Sequence, residues 1–237
     1  MLKNPKAKKR RPTERDFPVL IGVPVPNIDH KINSGLSIFM AGCSMRRVAL
    51  PYGQPSRDAT PARNNIIETF LHDPEYGKFT HLLFMDADCC PVNPFAVERL
   101  LSHQKDVVAG ITPILITKDD VPALYWNCVT DTQEGNLRLN RLKNGLFKAE
   151  RVGGTAIMVH RRVLEKLETP YQKSTYNEKN IEFIQSEDYY FCEKIRQAGF
   201  DIWIDPSIMC SHWHTMDMLM FVQMISKMAY AQESDNE

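Results

Sequence analysis

Two carboxylates at the end of an apolar run are the first residues of this sequence that could do chemistry. Residues 81–91 read HLLFMDADCCP, so Asp86, Ala87 and Asp88 follow directly on the apolar stretch. Side chains alternate along extended backbone, which predicts that both carboxylates point the same way and Ala87 points away. Two neighbouring carboxylates repel unless a proton or cation lies between them, and oxygen ligands favour Mg²⁺, Mn²⁺ or Ca²⁺. The motif predicts a divalent ion shared with a substrate phosphate; an Asp-rich loop cap without an ion is the alternative.

Histidines near the C-terminus could complete such an ion site. The stretch SIMCSHWH places Cys210, His212 and His214 at a period of two, on one face of a predicted strand. An imidazole can complete a manganese shell that carboxylates begin. His212 is the predicted ligand and His214 the reserve, because both share one orientation. A purely structural role is the alternative for each.

An acidic pair and a glycine pair are the next candidates. Glu187 and Asp188 open a predicted helix, where the helix dipole should lower the pKa of an acid and keep it ionised, ready to accept a proton. The alternative is the ordinary preference for acids in a first turn. Gly153 and Gly154 permit close approach of a ligand or a positive φ. Arg63, early in another predicted helix, could face phosphate, or could simply be solvated.

The surrounding pattern alternates strands and helices and predicts an α/β fold. FPVLIGVPVP, RVALPYG, THLLFMD and DVVAGITP indicate strands, with helical periodicity in the segments between them. Residues 131–151 are polar and suit a small β-hairpin excursion, and FDIWID and SIMCSHWH are predicted as two further strands. Ligands of open α/β sheets bind beyond the carboxyl ends of strands, where Asp86 and Asp88 follow the third strand. The polar loop from Glu168 to Asn180 is a candidate lid.

Composition predicts one globular domain with polar ends. The 237 residues carry 29 basic and 29 acidic side chains, and six cysteines lack the spacing of a disulfide framework or a zinc site. We expect a basic flexible arm over residues 1–16, the main domain over 17–214, and an amphipathic helix and tail over 215–237. No apolar stretch approaches the roughly 20 residues of a membrane span, so a soluble, cytoplasmic protein is expected. The arm could contact nucleic acid, or be merely solvated. Six positive charges precede its first acidic residue: Lys3, Lys6, Lys8, Lys9, Arg10 and Arg11.

Taken together, five stretches resemble the nucleotide-sugar glycosyltransferases of the GT-A type, closest to the family 2-like members, including small phage-encoded ones. They are FPVLIGVPVP, THLLFMDADCCP, VGGTAIMVHRRVLEKL, SEDYYFCEKIRQAGFDIWID and IMCSHWH. The resemblance covers residues 17–214 and implies a single α/β/α sandwich with a mostly parallel central sheet. It also implies bound Mn²⁺ or Mg²⁺ and a nucleoside-diphosphate sugar donor. A phage-encoded member would act in the host cytoplasm.

The resemblance also implies residue roles. Asp86 and Asp88 match the D-x-D that binds ribose and the metal diphosphate, and His212 matches the late metal ligand. Asp188 matches the base of inverting members, with Glu187 supporting it. The residues expected to border the nucleotide are Pro24, Val25, Pro26, Asn27 and Arg63. The chain departs from many relatives in lacking membrane segments and an acceptor domain, and in having two candidate histidines.

The predicted function is therefore metal-dependent sugar transfer to an acceptor hydroxyl. A nucleotidyltransferase is a second interpretation, although VPVPNIDHK after the first strand offers prolines where a glycine-rich phosphate loop is expected. A non-catalytic nucleic-acid-binding module is a third. DNA is a candidate acceptor, held by the basic arm. The sequence leaves open the sugar, the acceptor, the stereochemistry and the oligomeric state.

Overall fold

The computed structural model describes residues 17–26, 32–118, 121–177 and 183–213, and residues 218–219, 221–223 and 225–226. Within these ranges both helices and strands occur, as predicted, and residues 107–160 contain strands without an α-helix. The α-helices are α1 (Ser34–Met45), α2 (Ala59–His72), α3 (Ala96–Ser102), α4 (Arg161–Leu164) and α5 (Glu187–Gln197). The strands are β1 (Val19–Pro26), β2 (Ala49–Ser56), β3 (His81–Phe84), β4 (Cys89–Pro91), β5 (Val107–Ile111), β6 (Pro113–Lys118), β7 (Val121–Asp131), β8 (Gly135–Arg138), β9 (Phe147–Ala149), β10 (Arg151–Val152), β11 (Ile157–His160), β12 (Thr175–Tyr176), β13 (Phe183–Gln185) and β14 (Ile202–His212).

A central eight-stranded sheet organises the fold, in the order β2-β1-β3-β11-β5-β14-β4, with β9 also paired to β14. β1 pairs in parallel with β2 and β3, and β5 pairs in parallel with β14. β11 runs antiparallel between β3 and β5, so those two strands point the same way. Five strands of the sheet therefore share one direction. The predicted α/β fold, with a mostly parallel central sheet flanked by helices, is confirmed and is consistent with a GT-A-like sandwich.

Apolar side chains cover both faces of this sheet. β5 reads VVAGI and is buried throughout, as expected for a strand covered on two sides. One buried cluster contains Phe70 of α2 and Phe191 of α5, and the other contains Leu36 of α1 and Leu100 of α3. Helices thus pack on both faces, with α4 joining α2 and α5 on one of them. The carboxyl ends of the parallel strands remain available for a site.

The turn after β3 is tied to the start of α1. The Asn33 side chain caps α1 by accepting a hydrogen bond from the N–H of Gly35 at 2.7 Å. The Asn33 N–H donates to the carbonyl of Ala87 at 2.8 Å, and the Cys89 N–H donates to the carbonyl of Asp86 at 3.1 Å. The backbone therefore turns at residues 87–88, and the predicted continuous extension from Asp86 to Asp88 is wrong. The turn lets the chain enter β4 and pair with β14.

The two strands predicted near the C-terminus are one strand, β14, so the prediction of a break between them is wrong. The pairing register shifts in its middle, which marks a β-bulge. Asp205, 2% exposed, accepts hydrogen bonds from the N–H and hydroxyl of Ser207 at 2.9 and 2.6 Å. Arg99 and His103 of the α3 region also contact Asp205, at 2.8 and 2.6 Å. These bonds bridge the bulge at Pro206, and the strand continues to His212.

A four-stranded sheet contains the predicted hairpin excursion. Its order is β10-β7-β6, with β8 paired to β7. β7 and β8 are antiparallel and joined by a turn that ends at Gly135, whose φ of +75° suits glycine. The sheet leads from the central sheet back to Gly153, and so contributes one wall of the site.

The predicted N-terminal arm and most of the predicted C-terminal helix lie outside the described residues. Residues 218–219, 221–223 and 225–226 are helical, and Met218, Leu219 and Val222 among them are exposed. The division into arm, domain and tail stays a prediction. Among the described residues, no helix is long and apolar enough to cross a membrane. All six cysteines are free thiols, as expected.

Candidate active site

Asp88, Cys89 and His212 bring oxygen, sulfur and nitrogen ligand atoms together at the edge of the sheet. β4 pairs with β14 so that Cys89 lies opposite His212, and the N–H of Trp213 donates to the carbonyl of Asp88 at 3.1 Å. The three ligand atoms lie within 4.8 Å of one another. In the described part of the chain, no other set of three such side chains meets this criterion. The donor set fits a divalent cation.

The ring of His212 is oriented by the carbonyl of Pro113. Nδ1 lies 3.1 Å from that oxygen, and because a carbonyl only accepts, Nδ1 carries the proton. Nε2 faces Asp88, 3.6 Å from Oδ2. The nearby carboxylate of Asp88 raises the pKa of His212, and the imidazole in turn lowers the pKa of Asp88. A proton between these groups satisfies both, and a metal cation can take the same position.

Donors from the protein hold the carboxylate of Asp86. Its Oδ1 accepts a hydrogen bond from Nη2 of Arg63 at 2.5 Å, and its Oδ2 accepts one from the hydroxyl of Thr155. The side chain of Asp88, by contrast, is 52% exposed and faces His212. Of the two predicted ligands, Asp88 therefore has the carboxylate that is more accessible to an ion. Metal binding by Asp86 stays a prediction.

Arg63 is buried between carboxylates at the centre of the site. Its Nη1 donates to Oε1 of Glu187 at 2.7 Å, opposite the bond to Asp86. Although burial opposes the charge, Asp86, Asp188 and Glu187 together raise the pKa of Arg63 above its usual range. A Cβ on Gly154 would lie 2.5 Å from Cζ of Arg63. Gly154 thus leaves room for the guanidinium, and the positive φ that the sequence allowed is not observed there. Close approach of a ligand to Gly154, which lines the same cleft as Asp188, stays a prediction.

Asp188 lies in the first turn of α5 and is half-buried. Oδ1 accepts hydrogen bonds from the hydroxyl of Ser186 and from the N–H of Tyr189, the latter at 2.8 Å. Oδ2 accepts one from the N–H of Gly154 at 3.2 Å. Burial raises the pKa of Asp188, although Ser186 and Arg63 oppose the shift. The predicted lowering by the helix dipole is wrong because desolvation outweighs it.

Two adjoining clefts meet at these side chains. The first, of about 330 Å³, is bordered by Pro24 and Val25 at the end of β1 and by Asp88. The second, of about 410 Å³, is bordered by Glu187 and Asp188. The side chains that line both clefts are Arg63, Asp86 and His212. The clefts adjoin along these shared side chains, so a group bound in one cleft would lie next to a group bound in the other.

The remaining predicted residues are placed as follows. Ala87, 8% exposed, lines the first cleft, and Gly153 lines the second. Pro26 is the last residue of β1 and follows Pro24 and Val25, which line the first cleft. Asn27 and His214 lie outside the described residues. The roles of all these residues in binding donor or metal stay predictions.

Sequence reasoning did not assign roles to several residues of the site. Cys89 follows the D-x-D directly and Thr155 follows the glycine pair, so adjacency to those motifs could have found both. Thr112 and Asn127 have no such signal: the N–H of Thr112 donates to Oδ1 of Asn127 at 2.9 Å only because β-sheet pairing brings them together. Both line the second cleft.

Part of the predicted lid is packed against α2. The N–H of Gln172 donates to Oδ1 of Asn64 at 3.0 Å, and Nδ2 of Asn64 donates back to the carbonyl of Gln172 at 2.8 Å. Tyr171 and Gln172 are buried. Residues 178–182 lie outside the described ranges, and closure of the loop over a donor stays a prediction.

Comparisons with known proteins show the fold. No protein-family model and no curated protein matches the chain. Among solved structures it is similar to A197 from STIV, with a TM-score of 0.55 and 16% identity, covering 83% of this chain and 86% of that one. It is also similar to GalNAc-T7 with UDP, GalNAc and Mn²⁺ (TM-score 0.45, 13% identity, 84% of this chain and 38% of that one). A third is the inositol-1-phosphate CTP transferase from T. maritima (TM-score 0.44, 10% identity, 90% and 96%). The likeness to A197 shows a shared fold, and no specific family or activity follows from these values.

Proposed function

We propose that this chain is a metal-dependent glycosyltransferase, which moves a sugar from a nucleoside-diphosphate sugar to an acceptor hydroxyl. The observation that supports this most directly is the adjacency of two clefts, one lined by Asp88 and the other by Asp188, with His212 lining both. An inverting transfer needs two such positions, because the leaving group departs from one side of the anomeric carbon while the acceptor attacks from the other. Holding both reactants in this geometry lowers the entropic part of the barrier.

The first cleft is the proposed donor site. Pro24 and Val25 border it, and the small side chain of Ala87 leaves space beside the turn. Asp86, held by Arg63 and Thr155, presents a carboxylate of fixed orientation. A divalent ion held by Asp88 and His212, Mn²⁺ or Mg²⁺ by resemblance, would supply positive charge that stabilises the departing diphosphate.

Asp188 is the proposed general base. It would accept the proton of the acceptor hydroxyl as that oxygen attacks the anomeric carbon. Because burial raises its pKa, Asp188 is a stronger base than an exposed carboxylate. Its hydrogen bonds to Gly154 and Tyr189 fix the direction of the two oxygens. Glu187, bound to Arg63, supports the same turn of α5 and balances the buried guanidinium.

Transfer assays with a panel of nucleotide sugars test the proposal. We expect release of nucleoside diphosphate with one donor class, dependent on Mn²⁺ or a related ion and abolished by a chelator. Asp188→Asn should lower kcat by about 100- to 10,000-fold while donor binding is retained. Glu193→Gln is the matched control, since Glu193 lies on the same helix and contacts Gln185 and Gln197 outside both clefts. Normal turnover in Asp188→Asn would remove that residue from the mechanism.

The same assays separate the other interpretations. A nucleotidyltransferase would consume a nucleoside triphosphate and release pyrophosphate. A non-catalytic nucleic-acid-binding module would do neither, and would retain DNA binding when Asp86 and Asp88 are both replaced by alanine. If DNA is the acceptor and residues 1–16 hold its phosphates, binding should weaken steeply as salt rises. A retained anomeric configuration in the product would contradict the role of Asp188 but not the ion site.

A further inference from the structure

A thiol that the proposed mechanism does not use lies at the ion position. Sγ of Cys89 is 3.4 Å from Oδ1 of Asp88 and within 4.8 Å of a ring nitrogen of His212. The Cys89 residue is 1% exposed, so the protein shields the sulfur from bulk water. The placement follows from the fold, because Cys89 and His212 are register partners across β4 and β14.

The adjacent Cys90 points away from this position. Its Sγ contacts the carbonyl of Pro91 and lies 3.4 Å from where a Cβ on Gly35 of α1 would be. Side chains alternate along β4, so one thiol faces the ion ligands and the other faces α1. Cys90 is half-buried and belongs to the same strand. The two neighbouring cysteines therefore form a matched pair for experiment.

The three donor atoms do not favour the same ions as carboxylates alone. Mg²⁺ takes oxygen ligands in a strict octahedral arrangement, whereas thiolates select ions such as Zn²⁺. Three protein ligands with a position left for substrate are the usual arrangement of a catalytic zinc site. The carbonyl of Pro113, which fixes the ring of His212, is the kind of second contact that orients such a ligand.

We infer that Cys89 is a third protein ligand of the ion site, with Asp88 and His212. The site then takes a divalent ion that accepts sulfur, such as Zn²⁺ or Co²⁺, in preference to Mg²⁺. The inference rests on the proposed function, because it concerns the same ion. It replaces the Mn²⁺ or Mg²⁺ implied by the resemblance with an ion that accepts a sulfur ligand. The alternative is that the Cys89 thiol packs in the core and binds no ion, as most buried cysteines do.

Titration of the metal-free, full-length protein with Co²⁺ tests the inference. A thiolate ligand gives a sulfur-to-cobalt charge-transfer absorption in the near ultraviolet, which carboxylate and imidazole ligands do not give. We expect this absorption in the wild type and in Cys90→Ser, and its loss in Cys89→Ser and Cys89→Ala. The affinity for Co²⁺ should fall about tenfold or more in both Cys89 variants. Zn²⁺ should displace Co²⁺ at far lower concentration than Mg²⁺ does.

Two results would overturn the inference: Co²⁺ bound by the wild type without the thiolate absorption, or equal absorption and affinity in Cys89→Ala. Thermal unfolding of the metal-free variants checks that they fold. If neither Cys89 variant folds, the absorption spectrum of the wild type with Co²⁺ and the competition between Zn²⁺ and Mg²⁺ still test whether Cys89 is a ligand. Sugar transfer at the wild-type rate with Mg²⁺ in Cys89→Ala would leave the proposed function standing and overturn this inference alone. Thiolate-bound Co²⁺ without transfer from any donor would support this site and contradict the proposed function.

Discussion

Replacing Arg63 with methionine tests how the site holds three carboxylates together. The side chain of Arg63 is 5% exposed, and those of its partners Asp86 and Glu187 are 29% and 20% exposed. Removing one member of a buried ion pair costs about 3–5 kcal/mol of unfolding free energy. Because both carboxylates retain some access to water, we expect the lower end, about 3 kcal/mol. For a chain of this size that loss lowers Tm by about 6–12 °C.

The loss of unfolding free energy in Arg63→Met should also depend on pH, because the neighbouring carboxylate of Asp188 titrates. Burial already raises the pKa of Asp188, and the charge of Arg63 opposes that rise. Without the guanidinium the pKa of Asp188 rises further, so the stability of the variant falls as pH rises through that folded-state pKa. At acidic pH, protonation of Asp188 relieves the repulsion among the carboxylates in the variant. The difference in unfolding free energy should therefore shrink between about pH 8 and about pH 4.

Urea unfolding followed by circular dichroism, at both pH values, measures the effect. Arg161→Met is the control, because Arg161 donates to the carbonyls of Phe79, Phe70 and Tyr76 at 2.9, 2.8 and 2.7 Å. Those acceptors do not titrate, so the loss of stability in the control should depend less on pH than the loss in Arg63→Met. A loss below about 1 kcal/mol for Arg63→Met, or one independent of pH, would refute the reasoning.

Further predictions follow from the same contacts. Gly154→Ala, which places a Cβ 2.5 Å from Cζ of Arg63, should cost about 1–3 kcal/mol in urea unfolding. Gly77→Ala, where the Cβ would lie 3.5 Å from the carbonyl oxygen of Pro74, should be near neutral; equal effects would contradict the packing argument. Asp188→Asn should gain stability relative to the wild type as pH rises above the ordinary value near 3.8, because the raised pKa makes ionised Asp188 unfavourable in the fold; a flat difference in unfolding free energy between about pH 3 and 8 would count against burial as the cause. Burial opposes ionisation of Asp205, but hydrogen bonds from Ser207, His103 and Arg99 hold its pKa well below the usual range. Asp205→Ala should therefore cost about 1.5–3 kcal/mol at neutral pH, and less as pH falls, by the same unfolding measurement; an undiminished cost at acidic pH would exclude the charge as its source.

Local patterns were sufficient for the order of elements and for the end of the sheet where the site lies. The apolar run before Asp86 predicted a buried strand, and the two carboxylates after it were placed at that strand's carboxyl end, where the structure has them. The period of two in SIMCSHWH predicted that His212 lies on a strand. These features depend on side-chain alternation and burial, which neighbouring residues determine.

Tertiary structure decided what each side chain contacts. Arg63 bonds Glu187, which is 124 residues distant in sequence, and no local pattern could pair them. The raised pKa of Asp188 depends on how much water surrounding segments exclude, so the helix-terminus argument failed. Cys89 meets His212 through the register of β4 on β14. Contacts between distant segments and the degree of desolvation are properties of the packed chain, and periodicity in sequence carries no measure of either.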